Sequence, residues 1–126
     1  MSAEPRPLAL VADDNADILE LIELRLTRAG YDVLLAHDGV DALEKVDVRT
    51  PDVAVVDVMM PRMDGHELVR RLRARPETAT MPILILTAAV DDQIAQAGAQ
   101  AGANAHMRKP FSPTELVTRL DELVGR

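Results

Sequence analysis

Short runs of branched apolar residues alternate along this chain with longer stretches whose apolar residues recur at helical spacing, and few architectures accommodate that pattern. A strand buried on both faces needs a continuous apolar run, and a helix that covers it needs one apolar stripe. Repeated in alternation, the two make a parallel sheet layered by helices. Five strands are predicted: Pro7 to Ala12 (PLALVA), Asp32 to Ala36 (DVLLA), Asp52 to Asp57 (DVAVVD), Pro82 to Thr87 (PILILT) and a weaker one over Ala105 to Arg108. Five helices fill the intervals: Asn15 to Ala29, Gly39 to Val46, Gly65 to Ala74, Asp91 to Ala101 and Pro113 to Val124. Right-handed crossovers leave few topologies for such a chain, and an α/β fold with a doubly wound, five-stranded parallel sheet in the order 2-1-3-4-5 is predicted.

Local signals agree with this division. Ser112 can cap the last helix, Pro113 fits its first turn and Glu115 completes a capping box, while Leu116, Val117, Leu120, Leu123 and Val124 form its apolar stripe. Asp64 and Glu67 mark a similar start for the third helix, and Gly30 a stop for the first. The fourth helix differs. Its inward candidates are Val90, Ile94, Ala97 and Ala101, with Gly98 in the middle, so it buries few methylenes and is predicted to be weakly held. The length of 126 residues suits one domain, assigned to residues 7–126, with Met1 to Arg6 expected to be a mobile lead-in.

Composition narrows function. With 14 basic against 21 acidic residues the net charge is -7, which disfavours direct nucleic-acid binding and anionic membranes. Cysteine is absent, removing disulfides, thiolate metal cages and cysteine nucleophiles and fitting a reducing compartment. Tyr31 and Phe111 are the only aromatic residues, too few for a flavin pocket or a single-strand nucleic-acid groove. No run of about eighteen apolar residues and no secretory leader pattern occurs, so a cytoplasmic protein without a membrane span is expected.

In open parallel sheets, ligands bind outside the carboxyl ends of the strands. The first strand delivers Asp13 and Asp14 there, the third Asp57 and the fourth Thr87, while Lys109 closely follows the fifth. Each has an ordinary explanation alone: Asp13, Asp14 and Asn15 as helix caps, Thr87 as a turn residue, Lys109 as a solvated loop lysine. Asp57 resists one, because it follows Val53, Ala54, Val55 and Val56 and a lone buried carboxylate is costly. Two unit charges about 4 Å apart interact by roughly 4 kcal/mol at an effective dielectric near 20, so one ammonium cannot offset three clustered carboxylates. Such a cluster calls for a proton or a divalent cation, and an all-oxygen site suits magnesium better than zinc. Asp57 would then be a nucleophile able to accept a phosphoryl group, with Thr87 as a hydrogen-bond donor to it.

The acid pair in LALVADDN, the segment VVDVMMPRMDG, the strand end ILILTAA and the RKPF segment together resemble the response-regulator receiver domains of two-component signalling, from Leu8 to about Val124. The single-domain chemotaxis regulator is the simplest member of that family. The resemblance implies the flavodoxin-like receiver fold and roles residue by residue. Asp57 resembles the phosphoacceptor, Asp13 and Asp14 the Mg2+-binding acids, and Met59 the residue whose backbone carbonyl is a metal ligand. Thr87 resembles the hydroxyl that moves toward the phosphoryl group and Lys109 its cationic partner, while Pro110 sits where the family commonly has a cis peptide that would aim Lys109 inward. Phosphorylation by a sensor histidine kinase or phosphotransfer protein would then shift the face formed by the fourth helix, fifth strand and fifth helix, with the fourth helix as its mobile part. On this reading the chain is not a turnover enzyme, although it takes part in its own phosphoryl transfer and dephosphorylation.

Two departures stand out. Three residues before Lys109 the family usually has tyrosine or phenylalanine, and here stands His106, either a solvent-facing imidazole or a switch side chain whose inward packing weakens on protonation. His37 and His66 lack ligand spacing and are expected on the surface. Asn104 and Ala105 occupy positions where many receivers carry an acidic pair, and Asp91 to Ala101 contains no lysine or arginine. The charged dimer face of winged-helix regulators is thus incomplete, though phosphorylation-dependent homodimers remain open. Three other functions compete with this one. A haloacid-dehalogenase-like magnesium phosphatase would need an aspartate at Met59, and a flavodoxin-like carrier would need aromatics and a phosphate loop. A phosphorylation-independent receiver-like interaction module is disfavoured by the retention of all five polar positions.

Overall fold

A computed structural model describes residues 6–88 and 92–126 of the chain. Five strands, β1 (Leu8–Ala12), β2 (Asp32–Ala36), β3 (Val53–Asp57), β4 (Ile83–Thr87) and β5 (Ala105–Arg108), form one parallel sheet in the order β2-β1-β3-β4-β5. Five helices connect and flank them: α1 (Ala16–Arg28), α2 (Gly39–Val48), α3 (Gly65–Arg73), α4 (Asp92–Ala101) and α5 (Pro113–Val124). The doubly wound topology is the one predicted. The predicted Asp91 start of α4 and the inward placing of Val90 and Ile94 fall outside what is described, as do residues 1–5 of the lead-in. Arg6 is described, and its guanidinium donates to the carbonyls of Thr27 at 2.8 Å and Tyr31 at 2.9 Å.

Alternation along the central strands divides the core. Leu10, Ala12, Ala54, Val56, Ile83 and Ile85 pack on one side against Leu68, Val69 and Leu72 of α3 and Ala42 and Val46 of α2. Ala9, Val11, Val53, Val55, Leu84 and Leu86 pack on the other against Leu19, Ile22 and Leu26 of α1 and Leu116 and Leu120 of α5. Because both faces are covered, β1, β3 and β4 are buried throughout, which explains their unbroken apolar runs.

Element ends follow local chemistry. Asn15 caps α1, its side-chain oxygen accepting from the amides of Asp17 and Ile18, and Asp64 and Ser112 cap α3 and α5 through the amides of Glu67 and Glu115. Gly30, expected to stop α1, has φ +99, and Ala29 before it is the C-cap. Strands begin one residue later than predicted at Pro7, Asp52 and Pro82. Proline has no N–H to place in a ladder, and Asp52 turns its carboxylate to the Leu8 amide at 2.8 Å. A 3-10 turn over Pro76–Thr78 was not anticipated. At the amino ends of the strands, Pro7, Gly30, Asp52, Pro82 and Arg126 line an open cleft, with the Arg126 guanidinium 5.1 Å from the centre of the buried Tyr31 ring.

One glycine is dictated by its neighbours. A β-carbon on Gly65 would lie 2.3 Å from the Asp57 carbonyl oxygen, so α3 starts hard against the backbone that ends β3. Gly65→Ala should lower the unfolding free energy by about 3 kcal/mol, the upper range for forced overpacking, and urea denaturation checks it.

Candidate functional site at the carboxyl ends of the strands

Each predicted site residue arrives at the same end of the sheet by a different strand. Asp13 and Asp14 follow β1, Asp57 is the last residue of β3, Thr87 the last of β4, and Lys109 follows β5. Carboxylate oxygens of Asp13, Asp14 and Asp57 lie within 4.8 Å of one another. The Lys109 ammonium reaches Asp13 Oδ2 at 2.8 Å and Asp57 Oδ1 at 3.2 Å. Asp13, Asp57 and Thr87 are buried, whereas Asp14 faces solvent.

The backbone carries these side chains to one point. The Lys109 amide donates to the Thr87 carbonyl at 2.8 Å, which joins the exit of β5 to that of β4, and the Lys109–Pro110 peptide is cis. The Asp13 amide donates to the Ala36 carbonyl at 3.0 Å, and Asp13 Oδ1 accepts from the Asn15 amide at 2.9 Å. Helix capping, the ordinary explanation for all three residues at 13–15, is therefore the work of Asn15, and the two aspartates are left to the cluster.

Electrostatics at the site is unbalanced. Burial raises the Asp57 carboxyl above its usual pKa, the charge of Asp13 pushes it further, and Lys109 opposes both. Burial alone would lower the Lys109 ammonium, but its hydrogen bond to Asp13 and the charge of Asp57 outweigh that and raise it. Three carboxylates meet one ammonium, so the cluster carries excess negative charge whenever all three are ionised. Hard oxygen donors at this mutual distance, with an open side at Asp14, fit a small divalent cation that keeps part of its water shell.

The family model for the response regulator receiver domain matches residues 9–121. The chain belongs to that family. This receiver domain is 41% identical over 117 residues to the alkaline phosphatase synthesis transcriptional regulatory protein PhoP of Bacillus subtilis, covering 93% of the chain and 48% of that protein. It is 44% identical over 117 residues to response regulator MprA of Mycobacterium ulcerans, covering 93% of the chain and 50% of that protein. The receiver domain thus spans about half the length of these curated relatives. Among solved structures it is similar to chemotaxis protein CheY4 of Vibrio cholerae, with a TM-score of 0.91 and 34% identity over 94% of this chain and 99% of that one. The receiver domain of sensor histidine kinase PA1611 of Pseudomonas aeruginosa, solved with a magnesium ion coordinated in its active site cleft, has a TM-score of 0.88 and 30% identity, covering 97% of this chain and 100% of that one. Among the described residues no helix is long and apolar enough to cross a membrane.

The remaining sequence candidates lie around the cluster. Met59, two residues beyond Asp57, is 72% exposed. His106 stands opposite Ile85 in the β4–β5 register and faces the core side of α4: a β-carbon on Gly98 would meet its Nε2 at 2.1 Å and Ile85 Cδ1 at 3.2 Å. Its Nε2 is buried without a hydrogen-bond partner, so the solvent-facing alternative does not hold. Burial lowers the His106 pKa, and the charge of His66 adds to this. His66, expected on the surface with His37, is only half-exposed, and its Nε2 is likewise buried and unpartnered. As the second residue of α3 it stands three before the buried Val69, at the border of the Leu68, Val69 and Leu72 stripe, and that spacing was the signal for its partial burial.

Two predictions follow from the charges. The folded domain holds the Asp57 proton more tightly than the unfolded chain, so the contribution of Asp57 to stability should be lost as pH rises through the carboxylate range and beyond, in the absence of divalent cations. Asp57→Asn should flatten that loss and stabilise the domain at pH 7 by about 1 kcal/mol, the order of one screened carboxylate repulsion, which thermal denaturation in chelator reads out. His106 behaves oppositely. Its lowered pKa means stability is lost as pH falls through the ordinary imidazole range near about 6.5, and His106→Phe should lose less between pH 8 and pH 5.5 in the same measurement.

Proposed function

We propose that this receiver domain accepts a phosphoryl group on Asp57 from the phosphohistidine of a sensor kinase or of a phosphotransfer protein. The observation that carries the reading is the Asp57 carboxylate, buried at the end of β3, sharing the Lys109 ammonium with Asp13 and lying beside Asp14. An Asp57 oxygen attacks phosphorus, the phosphorus–nitrogen bond breaks, and the imidazole leaves as an acyl phosphate forms on the side chain. Lys109 offsets one of the three negative charges gathered there, and a bound divalent cation would offset the other two.

Asp13, Asp14, Asp57 and the backbone carbonyl of Met59 are the residues that would hold Mg2+, supported by the all-oxygen donor set and by the magnesium in the PA1611 receiver cleft. When bound, that ion neutralises charge on the transferring phosphoryl oxygens and offsets the repulsion among the carboxylates. Thr87, buried at the end of β4, donates its hydroxyl hydrogen bond to the new phosphoryl group. His106, packed between Ile85 and Gly98, is the side chain through which a movement at Thr87 reaches α4, and the face of α4, β5 and α5 is the output surface. The partners in this reading are a kinase and a downstream effector or output domain, acting in the cytoplasm, and two phosphorylated copies pairing through that face fall within it. The domain takes part in its own phosphorylation and dephosphorylation without turning over an external substrate.

Incubation with a small phosphodonor and Mg2+ should add one phosphoryl mass to the intact protein. The adduct should be lost in Asp57→Asn and reduced by roughly tenfold or more in yield rate in Lys109→Ala, which removes the cation paired with the acceptor. Mass spectrometry of a time course checks both, and an adduct that survives in Asp57→Asn would refute the assignment.

A further inference from the structure

The segment from Val58 to Asp64 joins the phosphoacceptor strand to α3 and carries Met59 at its start. Its base is closed by the Gly65 amide, which donates to the Val58 carbonyl at 2.9 Å. Its far end turns within three residues, where the Met63 amide donates to the Pro61 carbonyl at 2.7 Å and the central residue, Arg62, has φ +67. Arg62 is the only residue other than glycine with positive φ among the described residues. Side-chain-bearing residues rarely adopt that conformation, and glycine or asparagine would hold it at less cost.

What the arginine adds is a tether. Its Nε and Nη2 both donate to Asp38 Oδ2, at 2.9 and 2.7 Å. Asp38 is buried, with its side chain 4% exposed, and its other oxygen caps α2 by accepting from the Asp41 amide at 2.8 Å. The arginine itself is 56% exposed, so the pair joins a fixed anchor to a solvent-facing arch. Beside it Met63 fills the space left by Gly39, where a β-carbon would lie 2.8 Å from Met63 Cβ. The segment thus rests on the start of α2 through one apolar contact and one ionic one, while Met59, two residues beyond Asp57, is exposed.

We propose that Arg62 is a positioning residue for the metal site: its ion pair with Asp38 holds the Val58–Asp64 arch so that the Met59 carbonyl stays presented to the cation. This rests on the reading of Asp13, Asp14, Asp57 and Met59 as the Mg2+ site. It assigns the strained arginine and the buried Asp38 a shared task that neither helix capping nor turn formation requires.

The test is the Mg2+ dissociation constant itself, read by calorimetry and by amide shifts in an NMR titration of the unphosphorylated domain, together with the thermal midpoint. Arg62→Gly removes the tether and relieves the backbone. Asp38→Asn keeps a competent helix cap and removes the charge. Each should weaken Mg2+ by about three- to tenfold, at or below the low end of the loss when an outer partner of a metal ligand is removed. The double variant should be no weaker than either single one, because both remove the same link. Arg62→Gly sets relief of the backbone against a buried carboxylate left unpaired, whereas Asp38→Asn strands no charge, so a weakened Mg2+ constant in Asp38→Asn with its thermal midpoint kept within a few degrees of wild type separates positioning from a structural role. Dissociation constants within twofold of wild type in both single variants would overturn the inference alone. A wild-type domain without saturable Mg2+ binding would overturn the metal site and this inference with it.

Discussion

One ammonium group shared by two buried carboxylates organises this molecule's working end. Lys109 arrives from the exit of β5, Asp13 from β1 and Asp57 from β3, and the contacts at 2.8 and 3.2 Å draw three separate chain segments to one point. Without that cation, Asp13 and Asp57 would face each other and Asp14 with nothing to offset them, in surroundings that already raise the Asp57 pKa. The strands beneath are packed on both faces and cannot swing apart to relieve the repulsion, so the sheet enforces an unfavourable charge pattern. Stability is given up locally to keep three carboxylates together at the carboxyl end of the sheet.

A second imbalance lies one layer away. His106 packs beside Ile85 of β4 and against α4, where Gly98 leaves room for it. Its buried nitrogen finds no partner, nor does that of His66. An unsatisfied buried polar atom costs about 1–3 kcal/mol, so the inward packing of this side chain is less secure than that of an apolar ring of similar size. The cost falls beside α4, the helix with an interior glycine and small apolar residues.

Much of this was legible from residues alone, for identifiable reasons. Asp57 ends an unbroken apolar run, and a carboxylate placed there has nowhere to go except the floor of a crevice. The capping residues Asn15, Asp64 and Ser112 announce the helix starts because capping is local chemistry. Which of Asp13, Asp14 and Asn15 performs the capping was not legible, since all three types cap well, and only the arrival of Lys109 across the sheet decides it. The positive φ of Arg62 leaves no mark in MPRMDG. Gly65 marks the beginning of a helix in the sequence, whereas its larger constraint is the Asp57 backbone pressed against it.

The cleft lined by Pro7 and Arg126 sits at the amino ends of the strands, the pole opposite the acid cluster. Sequence fused after Arg126, by nature or by an engineer, would emerge on that far side and leave the mouth around Asp14 open. Communication between the reactive carboxylate and any such attachment must cross the full length of the sheet or run along its outer helices. For a reporter built on this domain, a fluorophore joined after Arg126 would answer only to changes transmitted that distance.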